Sequence, residues 1–112
     1  MGLQAIPADW CKAVATAIKR NRVRFTADAH KEWQRSFPGC WRYDLDQALL
    51  YFLARDLRGC HVTMASPPGE TWEFIFQLQG CPAYGKILLR TDRISVVVFS
   101  AHRPERSKLS CE

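Results

Sequence analysis

No run of this chain stays apolar for the roughly 20 residues that a membrane-crossing helix needs. Nor does its start read as a secretory signal: Met1 to Pro7 is short, and the cations come only afterwards. A cytoplasmic protein with no membrane partner is therefore expected. Glycine is sparse, at six residues, and none lies in a nucleotide-binding turn or a Walker loop. Paired metal carboxylates are missing, as is a Ser–His–Asp or Cys–His pattern at workable spacing, which removes the enzyme classes built on them. The five cysteines, Cys11, Cys40, Cys60, Cys81 and Cys111, are odd in number and widely spaced, with no CxxC pair. They read as reduced thiols packed as small hydrophobes, not as a zinc site. No metal and no cofactor is called for.

What the chain does have is enough apolar and aromatic residues for one core. A length of 112 residues supports a single domain spanning 1–112. Positive charge gathers early: residues 1–43 carry eight Lys and Arg against three acids, Asp9, Asp28 and Glu32. That surplus suits a polyanion or an acidic protein, although a merely solvated basic surface would look the same.

Periodicity organises the rest. Cys11, Val14, Ala15 and Ile18 recur at helical spacing after Pro7, and this helix should end near Asn21. Val23 to Phe25 is a short extended piece. Thr26 is a good cap for a second helix with the stripe Ala29, Trp33 and Phe37, stopped by Pro38 and Gly39. Asp44, with Gln47 in capping-box spacing, should cap a third helix closed by Gly59. Cys60 to Met64 reads as a strand, and Ser66 to Gly69 as a loop. Three further strands follow: Thr71 to Gln79, Ala83 to Arg90, and Arg93 to Ala101 or His102. Helices first and strands afterwards predict an α+β fold, with N-terminal helices packed on one face of a small antiparallel sheet. The core should span about 8–102, and the polar tail 103–112 should fray.

The second and third of these four strands carry the chemistry. If Gln79 lies opposite Tyr84, antiparallel pairing sets Gln77 against Lys86 and Glu73 against Arg90. Glu73, Gln77, Tyr84, Lys86 and Arg90 then share one face, because side chains alternate along both strands. A face with a carboxylate, a phenol and two cations suits a phosphate-bearing ligand. Lys86 and Arg90 are the candidate phosphate contacts, with Gln77 beside them, and His102 and Arg103 close the last strand within reach. Trp10, Trp33, Trp41 and Trp72 read as core or partner contacts rather than stacking platforms.

The order of Asn21 to Thr26 before a helix, then Thr71 to Phe76 with Trp72, Tyr84 to Ile87, and Arg93 to Ser100 resembles the MqsR-type toxins of bacterial toxin–antitoxin pairs. These belong to the RelE-like group of messenger-RNA interferases, and the likeness covers about residues 8–102. The resemblance implies a RelE-like fold and a metal-independent endoribonuclease that cuts messenger RNA. It also implies neutralisation by an antitoxin protein that carries a DNA-binding domain. The family's active-site Lys, Gln and Tyr fall on or next to His61, on Glu73 and on Tyr84. Only the Tyr is retained, so the catalytic candidates are His61, Glu73 and Tyr84, with His61 and Glu73 as a possible acid–base pair. A structural reading competes for each: an inert strand-edge His61, a Glu73–Arg90 ion pair, and a Tyr84 that anchors a strand end. Two other functions stay open. One is a non-enzymatic toxin of the same architecture that inhibits a protein target, as gyrase-directed relatives do. The other is a small nucleic-acid or protein adaptor that uses its basic helical half.

Overall fold

The computed structural model describes residues 2–112. It is an α+β fold of three helices and one six-stranded mixed sheet. In chain order the elements are β1 (Gln4–Ala5), α1 (Ala8–Lys19), β2 (Val23–Phe25), α2 (Ala27–Ser36), α3 (Arg42–Leu53), β3 (Arg58–Val62), β4 (Gly69–Leu78), β5 (Cys81–Arg90) and β6 (Val96–His102). The sheet order is β1-β3-β4-β5-β6-β2.

Local chemistry sets the boundaries. Thr26 caps α2 as expected, its hydroxyl accepting the Ala29 N–H at 3.1 Å. The third helix starts earlier than the sequence suggests. Trp41 is its cap, and Asp44 sits one turn in, where its carboxylate accepts the Trp41 N–H at 2.8 Å. Gly59 does not close that helix, which ends at Leu53. It lies inside β3, where an added Cβ would stand 2.2 Å from the Glu73 carbonyl oxygen, so only glycine allows this approach of β3 to β4.

The sheet differs from an all-antiparallel one at its edge. β2 pairs parallel with β6, Val23 opposite Val96 and Phe25 opposite Val98. The β4–β5 hairpin is also tighter than expected. Gln79 and Gly80 form its two-residue turn with φ of 51° and 78°, the left-handed pair that matches strand twist. Tyr84 therefore opposes Ile75 rather than Gln79, Lys86 opposes Glu73, and Pro82 opposes Gln77. The slip is four residues. Being even, it leaves every side chain on the face the alternation assigned it.

One face of the sheet holds the core. Trp72, Phe74, Phe76, Ala83, Ile87, Leu89, Val96 and Val98 join residues of all three helices in a single apolar cluster. Trp10 of α1 meets Phe74 edge-on at 6.4 Å, and Phe52 of α3 meets Phe76 at 6.4 Å. Trp10, Trp33 and Trp72 are buried here, whereas Trp41 is 80% exposed. Among the described residues, no helix is long and apolar enough to cross a membrane.

The tail does not fray. It turns back over the other face of the sheet, where Leu109 is buried and Cys111 forms a disulfide with Cys60. Five reduced thiols are thus not what the fold contains. Cys60 opposes Glu73 across β3 and β4, so its sulfur faces the side that the tail crosses. Cys11, Cys40 and Cys81 remain thiols, and burial pushes the Cys11 thiol up to about 11, which leaves it inert.

Candidate active site

Strand parity decides which side chains meet. The face opposite the core carries Thr71, Glu73, Ile75 and Gln77 from β4, and Tyr84, Lys86, Leu88 and Arg90 from β5. Tyr84 also opposes His102 in β6. Five of the residues singled out in the sequence thus share this face, and His102 joins them.

Glu73 is its centre. It is 5% exposed, the one buried charged residue among the described residues. A buried carboxylate persists only with donors around it, and Glu73 has three. The Tyr84 hydroxyl donates to Oε2 at 2.5 Å. The Ser110 backbone N–H donates to Oε1 at 2.7 Å, and the Ser110 hydroxyl donates to the same oxygen. Burial pushes the carboxyl up, but the hydrogen bonds from Ser110 and Tyr84 and the charge of Lys86 outweigh it. Glu73 is held below its ordinary range. Burial, then the bond to Glu73 and its negative charge, push the Tyr84 phenol well above its ordinary value. The result is a fixed anion beside a phenol that keeps its proton.

His102 lies against this pair, its ring 5.2 Å from that of Tyr84. Its Nδ1 is 2.7 Å from the Arg103 carbonyl oxygen, and its Nε2 is 3.1 Å from a Glu32 carboxylate oxygen. A cavity of about 560 Å³ opens over the group, lined by Glu73, Tyr84, His102, Arg106, Lys108 and Ser110. That size suits a small ligand or one nucleotide unit.

Two candidates stand apart. His61 opposes Trp72 across β3 and β4, so it belongs to the core-side face, exposed at the strand edge with its ring 5.2 Å from Trp72. The sheet lies between it and Glu73, and the two are not an acid–base pair. Arg103 turns to α2: its Nε donates to the Ser36 carbonyl oxygen at 3.0 Å, and its guanidinium stands 5.2 Å from the Phe37 ring centre. It occupies a helix C-terminus, where a cation is favoured. Arg90 and Gln77 are on the right face and exposed, at opposite ends of the hairpin. Arg90 opposes Gly69 and makes no ion pair with Glu73.

Sequence reasoning missed Ser110, Arg106 and Lys108. The signal was the pair Leu109 and Cys111 in an otherwise polar tail, an apolar residue and a cysteine with nothing local to bury them.

No family model, no curated protein and no solved structure matches this chain.

Proposed function

We propose that this chain is a toxin-type endoribonuclease of RelE-like architecture that cuts messenger RNA without a metal ion at the reacting centre. An antitoxin protein with a DNA-binding domain is its proposed partner. The observation that carries the reading is the 2.5 Å contact between the Tyr84 phenol and the Glu73 carboxylate on one sheet face, with Lys86 directly opposite Glu73.

Metal-free RNA cleavage needs a base for the 2′-hydroxyl, cations around the phosphate, and a proton for the departing 5′-oxygen. Here Glu73 takes the 2′ proton as the 2′-oxygen bonds to phosphorus. The phosphorus–5′-oxygen bond breaks, and the Tyr84 phenol supplies the proton to the leaving oxygen. The products are a 2′,3′-cyclic phosphate and a 5′-hydroxyl. Lys86 neutralises the phosphate, and Arg90 and Gln77 extend the contact along the hairpin.

The tail must lift first, because Ser110 occupies one oxygen of Glu73. Lifting removes two of the three hydrogen bonds on that carboxylate and makes it a better base. Cytoplasm, where messenger RNA is, holds thiols reduced, so the Cys60–Cys111 bond that pins the tail would be open there.

One observation favours a second reading. A groove of about 630 Å³ between α1 and α3 is lined by Lys12, Lys19, Arg55 and Arg58 around Leu50 and Leu53. A binding module for an acidic protein segment would use that groove and leave Tyr84 idle. A non-enzymatic toxin acting on a protein target would leave it idle as well.

Ribosome-free incubation of the reduced protein with a long RNA separates these readings. Discrete cuts ending in 2′,3′-cyclic phosphates, lost in Tyr84→Phe, support the nuclease. Intact RNA at every protein concentration refutes it.

A further inference from the structure

The tail is anchored at its far end by Cys111, and its near end carries a second cluster that the reaction above does not use. Glu32 of α2, His102 at the end of β6 and Glu105 of the tail each offer a ligand atom, all within 4.8 Å of one another. The geometry points to a site for a divalent transition-metal ion of the Zn²⁺ type, which clips the start of the tail to α2. This inference is independent of the nuclease reading.

Three observations support it. First, the His102 ring is oriented as a metal ligand's is. Its Nδ1 lies 2.7 Å from the Arg103 carbonyl, which can only accept, so Nδ1 carries the proton. In the neutral ring Nε2 is then a lone pair, and it points at Glu32 from 3.1 Å. A backbone carbonyl on the far nitrogen is the usual partner that fixes a ligating imidazole. The Tyr84 ring packed at 5.2 Å limits its rotation further. Second, the separations fit. Two atoms bound to one zinc at about 2.0–2.2 Å in tetrahedral geometry stand roughly 3.3–3.6 Å apart. The Nε2–Glu32 pair is already that close, and Glu105, exposed on the tail, needs only a side-chain adjustment.

Third, the local charge favours a cation. Two carboxylates converge on one imidazole, and the guanidinium of Arg103, next to His102 in sequence, is committed to the Ser36 carbonyl and the Phe37 ring. Among the described residues Glu105 has no ion pair, and Glu32 pairs only with His102. The mixed nitrogen and oxygen set favours zinc-like ions over Mg²⁺ or Ca²⁺, which select oxygen alone. Three protein ligands leave a fourth position for water.

Titration calorimetry of the full chain with ZnCl₂ tests this, with MgCl₂ as the comparison ion. Wild type should bind one Zn²⁺ per chain and no Mg²⁺ at matched concentration. Because loss of an outer partner alone costs about 10–100-fold in affinity, His102→Gln and Glu105→Gln should each weaken binding by at least about 100-fold. A Cys40→Ser/Cys81→Ser double variant should bind as wild type does, and Co²⁺ should give tetrahedral absorption bands without thiolate charge transfer. Zn²⁺ should also slow trypsin at Arg106 in wild type but not in Glu105→Gln. Glu105 is an exposed tail residue, so that variant folds even if His102→Gln does not. Unchanged isotherms in Glu105→Gln, or no heat up to about 1 mM free Zn²⁺, would overturn the site. A Co²⁺ spectrum dominated by thiolate bands would overturn it too.

Discussion

Replacing Tyr84 by Phe removes one oxygen and leaves the ring that packs on His102, so the variant isolates the bond to Glu73. A hydrogen bond to a charged group contributes about 1.5–3 kcal/mol. Glu73 retains both donors of Ser110, so the variant does not strand a bare buried charge, and the lower part of that range applies. A loss of about 1.5–2 kcal/mol is therefore expected. Urea unfolding measures it. With a slope of about 1–2 kcal/mol per molar for a small protein, the midpoint should fall by about 1 M while the slope stays constant. Near-ultraviolet circular dichroism should keep its tryptophan bands and lose only the Tyr84 contribution, because the buried Trp10, Trp33 and Trp72 are untouched. Combining Tyr84→Phe with Ser110→Ala should cost more than the sum of the two, since the pair leaves Glu73 with the Ser110 backbone N–H as its one remaining donor. A midpoint shift smaller than about 0.3 M would mean that the carboxylate has no need of the phenol.

Three further outcomes follow from the same geometry. Cys111→Ser opens a loop closed over 51 residues of separation, worth about 4 kcal/mol by chain entropy. Thermal unfolding should show that loss, a reductant should reproduce it in wild type, and the variant should not respond to reductant. The Glu73 carboxyl is held below its ordinary value in the fold, so it contributes stability above the unfolded value of about 4.3, lost as pH falls through the folded value; acid titration of unfolding should show a loss there that Glu73→Gln lacks. Lys86→Ala and Arg90→Ala should each flatten the salt dependence of single-stranded RNA binding by about 0.7 in log–log slope, and charge reversal at Lys31 on α2 should leave it unchanged.

Much of this site could be read from alternation alone. Glu73, Gln77, Tyr84, Lys86 and Arg90 share a face because period two is insensitive to an even slip, although the true turn at Gln79 and Gly80 moved every pairing by four. His61 could not be placed that way. Its strand is joined to β4 through the loop 63–68, and no tight turn fixes the parity of one strand against the other. The parallel pairing of β2 with β6 could not be read either, because two helices and three strands intervene and local pattern carries no record of so distant a pairing. The tail was read as frayed from its polar composition, yet three long-range contacts hold it: Leu109 buried, Ser110 on Glu73, and Cys111 on Cys60. Such contacts depend on where the sheet ends, which the tail's own residues do not encode.

If the Glu73–Tyr84 pair cleaves RNA once the tail is free, the end groups of a single cut RNA will show it. Reduced wild-type protein, incubated with a long RNA in EDTA and without ribosomes, should leave 2′,3′-cyclic phosphate and 5′-hydroxyl ends. Oxidised protein, with the tail pinned, should be slower. Tyr84→Phe should lose about two to four orders of magnitude in rate, the usual contribution of a positioned proton donor. Equal cleavage by wild type and Tyr84→Phe, or none by either after reduction, would rule out Glu73 and Tyr84 as the cleaving pair.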